Sequence, residues 1–199
     1  MDKLFPYNIY KFKVPNYKEL NKKLITEVYK MKEKEELGVR TILKSNVGGW
    51  HSSLDSSNFK YLSEIICNFF SKEILDTEDK IDISSIWANV NGKNDYNRHH
   101  VHTFGYYVGA YYVRVPENSG KLYILNPCSW NFASSGERHA DELYGCKDDE
   151  KEYNIQEGDL YFFNGQLPHR VGKNLTDKDR ISIAFNFDYK DLERQWMQK

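Results

Sequence analysis

The sequence predicts a mainly β fold with flanking helices (α+β), a sandwich or barrel whose N-terminal helices pack on one sheet. Three observations carry this. Helical periodicity is confined to about the first 80 residues, short aromatic and β-branched runs fill the rest, and turn sequences separate those runs. The 15 Tyr, 11 Phe and 4 Trp are many for 199 residues, and such side chains suit the half-buried, pleated surface of a sheet.

The elements follow in order. An extended piece over residues 4–14 is punctuated by Pro15-Asn16. From Tyr17 to about Leu37, the residues Leu20, Leu24, Ile25, Val28 and Met31 form a helical stripe on a Lys/Glu background, and Gly38 stands where a helix C-terminus favours glycine. The segment Asn46-Val47-Gly48-Gly49-Trp50-His51-Ser52-Ser53 has no period and reads as a loop. A second helix is expected over 58–75, with Leu62, Ile65, Ile66, Phe69 and Phe70 on one face. Strands are expected over 83–90, 106–115, 121–126, 151–155, 159–164 and 180–187. The polar segment 130–150 joins two of them and reads either as a lid or binding loop or as disorder.

The length fits one domain over 1–199, with a helical part to about residue 80 and a β core over about 81–190. Lys and Arg number 28 against 29 Asp and Glu, so no global field recruits nucleic acid or an anionic membrane. A small or neutral partner is expected instead. The three cysteines, Cys67, Cys128 and Cys146, make neither a disulfide framework nor a metal knuckle, which fits a reducing cytoplasm. No apolar run is long enough to be a signal peptide or to cross a bilayer. The many Lys, Asn, Ile and Tyr residues suit an AT-rich bacterial or viral genome. Exposed sheet edges would allow a homodimer, though nothing in the sequence selects one.

Three of the six histidines lie in Arg98-His99-His100-Val101-His102. In extended backbone, alternate side chains share a face, so His100 and His102 point together with Cα atoms ~6.5–7 Å apart, close enough for two imidazoles to lean onto one metal. Alone, such a pair is more often two polar residues on a wet face than a metal site. His169 supplies a third candidate at the end of the apolar run 159–164 and a turn, where functional residues favour loops on a rigid scaffold. Beyond it, in Arg180-Ile181-Ser182-Ile183-Ala184-Phe185-Asn186-Phe187, Arg180 and Ser182 share a face with Ala184 and Asn186. A cation on such a core-like strand should meet an anion, either a ligand carboxylate or a structural acid.

The order of His-x-His, Tyr111-Tyr112-Val113, Ser119-Gly120-Lys121-Leu122, Gly158-Asp159-Leu160, His169 and Arg180-Ile181-Ser182 resembles the 2-oxoglutarate/Fe(II) oxygenases, most closely a prolyl hydroxylase-like branch found in bacteria and phages. The likeness covers about residues 87–187. It implies a double-stranded β-helix (jelly-roll, cupin-like), Fe(II), and 2-oxoglutarate and O2 as cosubstrates. It also implies oxidative decarboxylation to succinate and CO2 with hydroxylation of a further substrate. By position it implies His100 and His169 as metal ligands and Arg180 with Ser182 as the clamp for the far carboxylate. Tyr111, Tyr112, Asn89 and Asn186 become candidates for the cosubstrate pocket, the tyrosines equally for the core.

The family's usual His-x-Asp or His-x-Glu is here His100-Val101-His102. The third ligand can then be His102, giving a three-histidine centre. It can also be Asp95 or an acid from 130–150, or catalysis has been lost and the pocket kept. Two other functions compete: a three-histidine cupin dioxygenase without 2-oxoglutarate, and a non-catalytic metal- or ligand-binding module. Arg180-x-Ser182 argues against both, since neither needs a carboxylate clamp.

Overall fold

The computed structural model describes residues 7–35, 45–55, 57–102, 105–127 and 150–188. Strand β1 (Ile9–Lys13) precedes helix α1 (Tyr17–Lys34). The short strands β2 (Asn46–Val47) and β3 (Trp50–His51) follow, then α2 (Lys60–Phe69), which continues as a π-helical turn over Phe70–Ile74. Eight further strands complete the fold: β4 (Ser85–Asn91), β5 (Tyr96–His100), β6 (Gly105–Arg114), β7 (Leu122–Leu125), β8 (Glu150–Tyr153), β9 (Asp159–Asn164), β10 (His169–Val171) and β11 (Arg180–Asp188).

They form two antiparallel sheets, a larger one in the order β1-β9-β6-β11-β4-β3 and a smaller one in the order β2-β5-β10-β7-β8. From β4 to β11 the chain crosses repeatedly between the sheets, the winding of a double-stranded β-helix. Period-2 patterning gives the larger sheet two distinct faces. Ile86, Ala88, Val90, Ile183, Phe185, Phe187 and Phe162 point outward onto Leu20, Leu24 and Val28 of α1 and Leu62 and Ile66 of α2. Burying each such side chain contributes about 1.5–3 kcal/mol, which fixes the helices on this face. Phe70 stacks on Phe187 with ring centroids 4.0 Å apart. The opposite face turns toward the smaller sheet, and Val108, Tyr112, Leu122, Ile124, Tyr161, Phe163 and Leu167 form a second core there.

Two expectations change. The segment expected as a loop over 46–53 holds β2 and β3, which pair with β5 and β4 as the edge strands of the smaller and the larger sheet on the same side of the sandwich. The second helix keeps α geometry only to Phe69. The glycine expected at the first helix's end, Gly38, and nearly all of the 130–150 segment lie outside the described residues. Among the described residues no helix is long and apolar enough to cross a membrane.

Candidate metal centre

His100 closes β5, and His169 opens β10 directly opposite it. Two residues further along β10, Val171 pairs with Asn97 rather than Arg98, so β5 carries an extra residue at this point. Bulges of this kind re-aim side chains. Here the bulge lets both Asn97 and His100 face the space between the sheets. His99 turns away, with its Nε2 3.0 Å from Glu150 on the outer surface. His102 lies just past the strand and is held by the turn that leads to His169. Its N–H donates to the Gly165 carbonyl at 2.8 Å, and its own carbonyl accepts from Gln166 Nε2 at 3.2 Å.

The three rings converge, and their potential ligand atoms all lie within 4.8 Å of one another. Each Nδ1 faces an acceptor at 2.8 Å: the Arg98 carbonyl for His100, the Leu167 carbonyl for His169, and Asn186 Oδ1 for His102. A carbonyl oxygen can only accept, so these contacts place the proton on each Nδ1 and leave the Nε2 lone pair to His102 and His169, while His100 has a second backbone partner in the His169 carbonyl. Such bonds to the distal nitrogen are how metal-ligating histidines are oriented. Asn186 is itself anchored by donating Nδ2 to Ser85 Oγ at 3.0 Å.

Burial keeps the set neutral. It lowers the pKa of His102 to about 4, that of His169 well below its ordinary value and that of His100 in the same direction; His100 also opposes charge on His102 and His169, and His102 on His169. All three are therefore free bases at neutral pH, the form that binds a metal. Aromatic packing stiffens them. Trp87 stacks between His102 at 6.2 Å and His51 at 5.7 Å, and Phe163 meets His169 edge-on at 4.7 Å.

The floor of the cavity beside the histidines is the inner face of the larger sheet. Asn89, Ser182 and Tyr112 sit in one row across β4, β11 and β6, and all three line the cavity. Asn89 Oδ1 is buried and has no hydrogen-bond partner among the described residues. One row on, Arg180 is 1% exposed. Its guanidinium donates to the carbonyl of Ser119, to that of Gly172 at 2.9 Å, and to Asn91 Oδ1 at 3.2 Å. Gly120 makes this possible: its φ is +96°, and a Cβ there would sit 2.7 Å from Arg180 Nη1. No carboxylate among the described residues forms an ion pair with Arg180. Burial lowers its pKa to about 10, which still leaves a cation at neutral pH.

The sequence of the β core matches a family profile described as "Putative 2OG-Fe(II) oxygenase" over residues 85–186. The chain belongs to the 2-oxoglutarate/Fe(II) oxygenases. Several solved structures of such enzymes share its fold. A Pseudomonas putida prolyl-4-hydroxylase superposes with a TM-score of 0.61 at 14% identity, covering 92% of both chains. A Trichoplax adhaerens prolyl hydroxylase, solved with a fragment of the hypoxia-inducible factor degradation domain, gives 0.64 at 11%, covering 94% of this chain and 86% of its own. The viral collagen prolyl hydroxylase of Paramecium bursaria Chlorella virus-1, solved with 2-oxoglutarate, gives 0.55 at 12%, covering 89% of this chain and 94% of its own. No curated protein sequence matches this chain.

As an oxygenase of this family, the protein uses Fe(II) and 2-oxoglutarate, and the donor set described above fits such a metal. Its candidate residues are not all placed as expected. Tyr111 does not line the cavity. Strand alternation sends it to the helical side, where its hydroxyl donates to Asn21 Oδ1 at 2.6 Å, and Tyr112 takes the inner position. Asn186 meets His102 instead of lining the cosubstrate space. Asp95 is occupied elsewhere, accepting from the Gly92 N–H at 2.8 Å within the β4–β5 turn. Trp87, Asn97 and Ser45 also line the cavity and were missed. Trp87 was legible in principle, since it lies two residues before Asn89 on β4 and so shares its face.

Proposed function

We propose that His100, His102 and His169 hold the iron through their Nε2 atoms as a three-histidine centre, and that the protein hydroxylates a C–H bond of an organic substrate. The observation that carries this is the pinning of all three Nδ1–H groups, which leaves three neutral donors aimed at one point. Iron held there supplies O2 activation coupled to the oxidative decarboxylation of 2-oxoglutarate to succinate and CO2.

The chain's own residues do the remaining work. Arg180, buried with no direct ion-pair partner among the described residues and only a longer-range attraction to Asp95, is the group suited to the far carboxylate of the cosubstrate, by shifting one of its donors onto it. Ser182 adds a hydroxyl in the next row, and the unpartnered Asn89 Oδ1 together with the Tyr112 hydroxyl completes a polar floor. Trp87, Phe163 and Val108 make the rest of that sheet's cavity lining apolar and restrict water around the reacting centre.

The test is 2-oxoglutarate-dependent succinate formation with Fe(II) in air. Wild type should form succinate, whereas His169→Ala and Arg180→Ala should not. Failure of the iron-loaded wild type to bind 2-oxoglutarate by calorimetry would overturn the reading.

A further inference from the structure

The charge inventory around the three histidines is unusual for a divalent metal site. His102 stands where the family usually places a carboxylate, and the group behind it, Asn186, is a neutral amide although ligand histidines are often backed by acids. No Asp or Glu lines the cavity among the described residues. The buried Asp159, which acts on Tyr112 at longer range, is paired with Lys11 and Lys13, and two further acids are committed elsewhere. Asp95 caps the Gly92 N–H, and Glu150 is gripped on the outer surface by Arg170 through two bonds of 2.6 Å and by His99. Arg180 adds a further buried positive charge on the same side of the sheet.

We propose that metal and 2-oxoglutarate enter this site as a charge-coupled pair, the cosubstrate dianion supplying the negative charge that the protein withholds. This rests on the three-histidine reading. A divalent ion seated on three neutral imidazoles near Arg180 is an uncompensated charge in a water-poor cavity, which is costly. The dianion offsets the ion at one end and Arg180 at the other. By linkage, each then raises the affinity of the other equally. The chain should bind metal weakly by itself and tightly once 2-oxoglutarate is present.

Chelation by 2-oxoglutarate couples the two ligands in any such enzyme, so the discriminating variants place a charge in the protein. Asn186→Asp keeps three imidazoles and an acceptor for His102 Nδ1 while adding a carboxylate behind the ring. His102→Asp puts the carboxylate on the metal itself.

The experiment is calorimetric titration of Mn(II) into metal-free protein, with and without saturating 2-oxoglutarate. In wild type, 2-oxoglutarate should tighten Mn(II) binding by roughly 5–150-fold, the usual span of site coupling. In both variants Mn(II) alone should bind tighter than in wild type, and the enhancement should shrink severalfold. The proposal is overturned if wild type binds Mn(II) equally well with and without 2-oxoglutarate, or if both folded variants retain the full enhancement. If one variant does not fold, the other decides. His102→Ala distinguishes the metal ligand set from the coupling: unchanged Mn(II) affinity in that variant would refute the three-histidine centre, whereas lost affinity beside an uncoupled wild type would refute the coupling alone.

Discussion

His100 and His169 face each other across the β5–β10 ladder with ring centroids 4.1 Å apart, and each donates its Nδ1–H to the carbonyl two residues earlier in its own chain. Their tautomers are thus set by backbone that no substitution removes. His102 differs, because its acceptor is the side chain of Asn186.

Asn186→Leu therefore frees the His102 ring only. Metal affinity should fall about 10–100-fold, the usual cost of losing such a partner, while the fold is retained. Mn(II) titration alongside thermal melts checks this. Asn186→Asp, which can still accept the proton, should not show the loss.

Stability of the metal-free protein should fall on mild acidification. His102 has a folded-state pKa of about 4 against an ordinary 6.5, and His100 and His169 shift the same way. Between those values the unfolded chain binds more protons than the folded one, so stability is full above about pH 6.5 and declines toward pH 4. Melting temperature against pH in a chelator measures it. Saturating Mn(II) should hold the curve flat to lower pH, since a ligated nitrogen cannot take up a proton.

The adjacent tyrosines should separate cleanly. Tyr111→Phe removes the bond to Asn21 on the helical side and leaves a buried acceptor, a cost of about 1–3 kcal/mol in stability, with the KM for 2-oxoglutarate unchanged. Tyr112→Phe should raise that KM. Urea unfolding and steady-state succinate assays distinguish the two effects.

Arg180→Gln should do both. Its guanidinium ties Ser119 and Gly172 to Asn91, so unfolding free energy should drop by about 1–3 kcal/mol. The same change removes the buried cation, and 2-oxoglutarate binding should weaken by about tenfold or more, the worth of a charge-assisted bond. Calorimetry of 2-oxoglutarate binding to the metal-loaded variant reads the second effect.

Much of this was legible in the sequence because period-2 patterning survives in long strands. The Asp159–Asn164 strand matches its expected bounds, and Arg180, Ser182, Ala184 and Asn186 do share a face. Elements too short to show a period were not legible. β10 has three residues, and β2 and β3 two each, in glycine-rich surroundings. The convergence of His100 and His102 was anticipated from simple alternation; the structure adds a bulge in β5 just before His100 and the grip of the Gly165-Gln166 turn on His102. The role of Asn186 is a contact between residues far apart in sequence, which patterning cannot reveal. Tyr111 and Tyr112 could not be assigned from composition alone, because both faces of β6 are apolar and buried.

The central claim is that the third metal ligand is His102 and not a carboxylate. X-ray absorption fine structure of the Fe(II)-loaded chain counts imidazole ligands directly. Three imidazoles in wild type and two in His102→Ala are predicted. Two in wild type, unchanged by that substitution, would contradict the three-histidine centre.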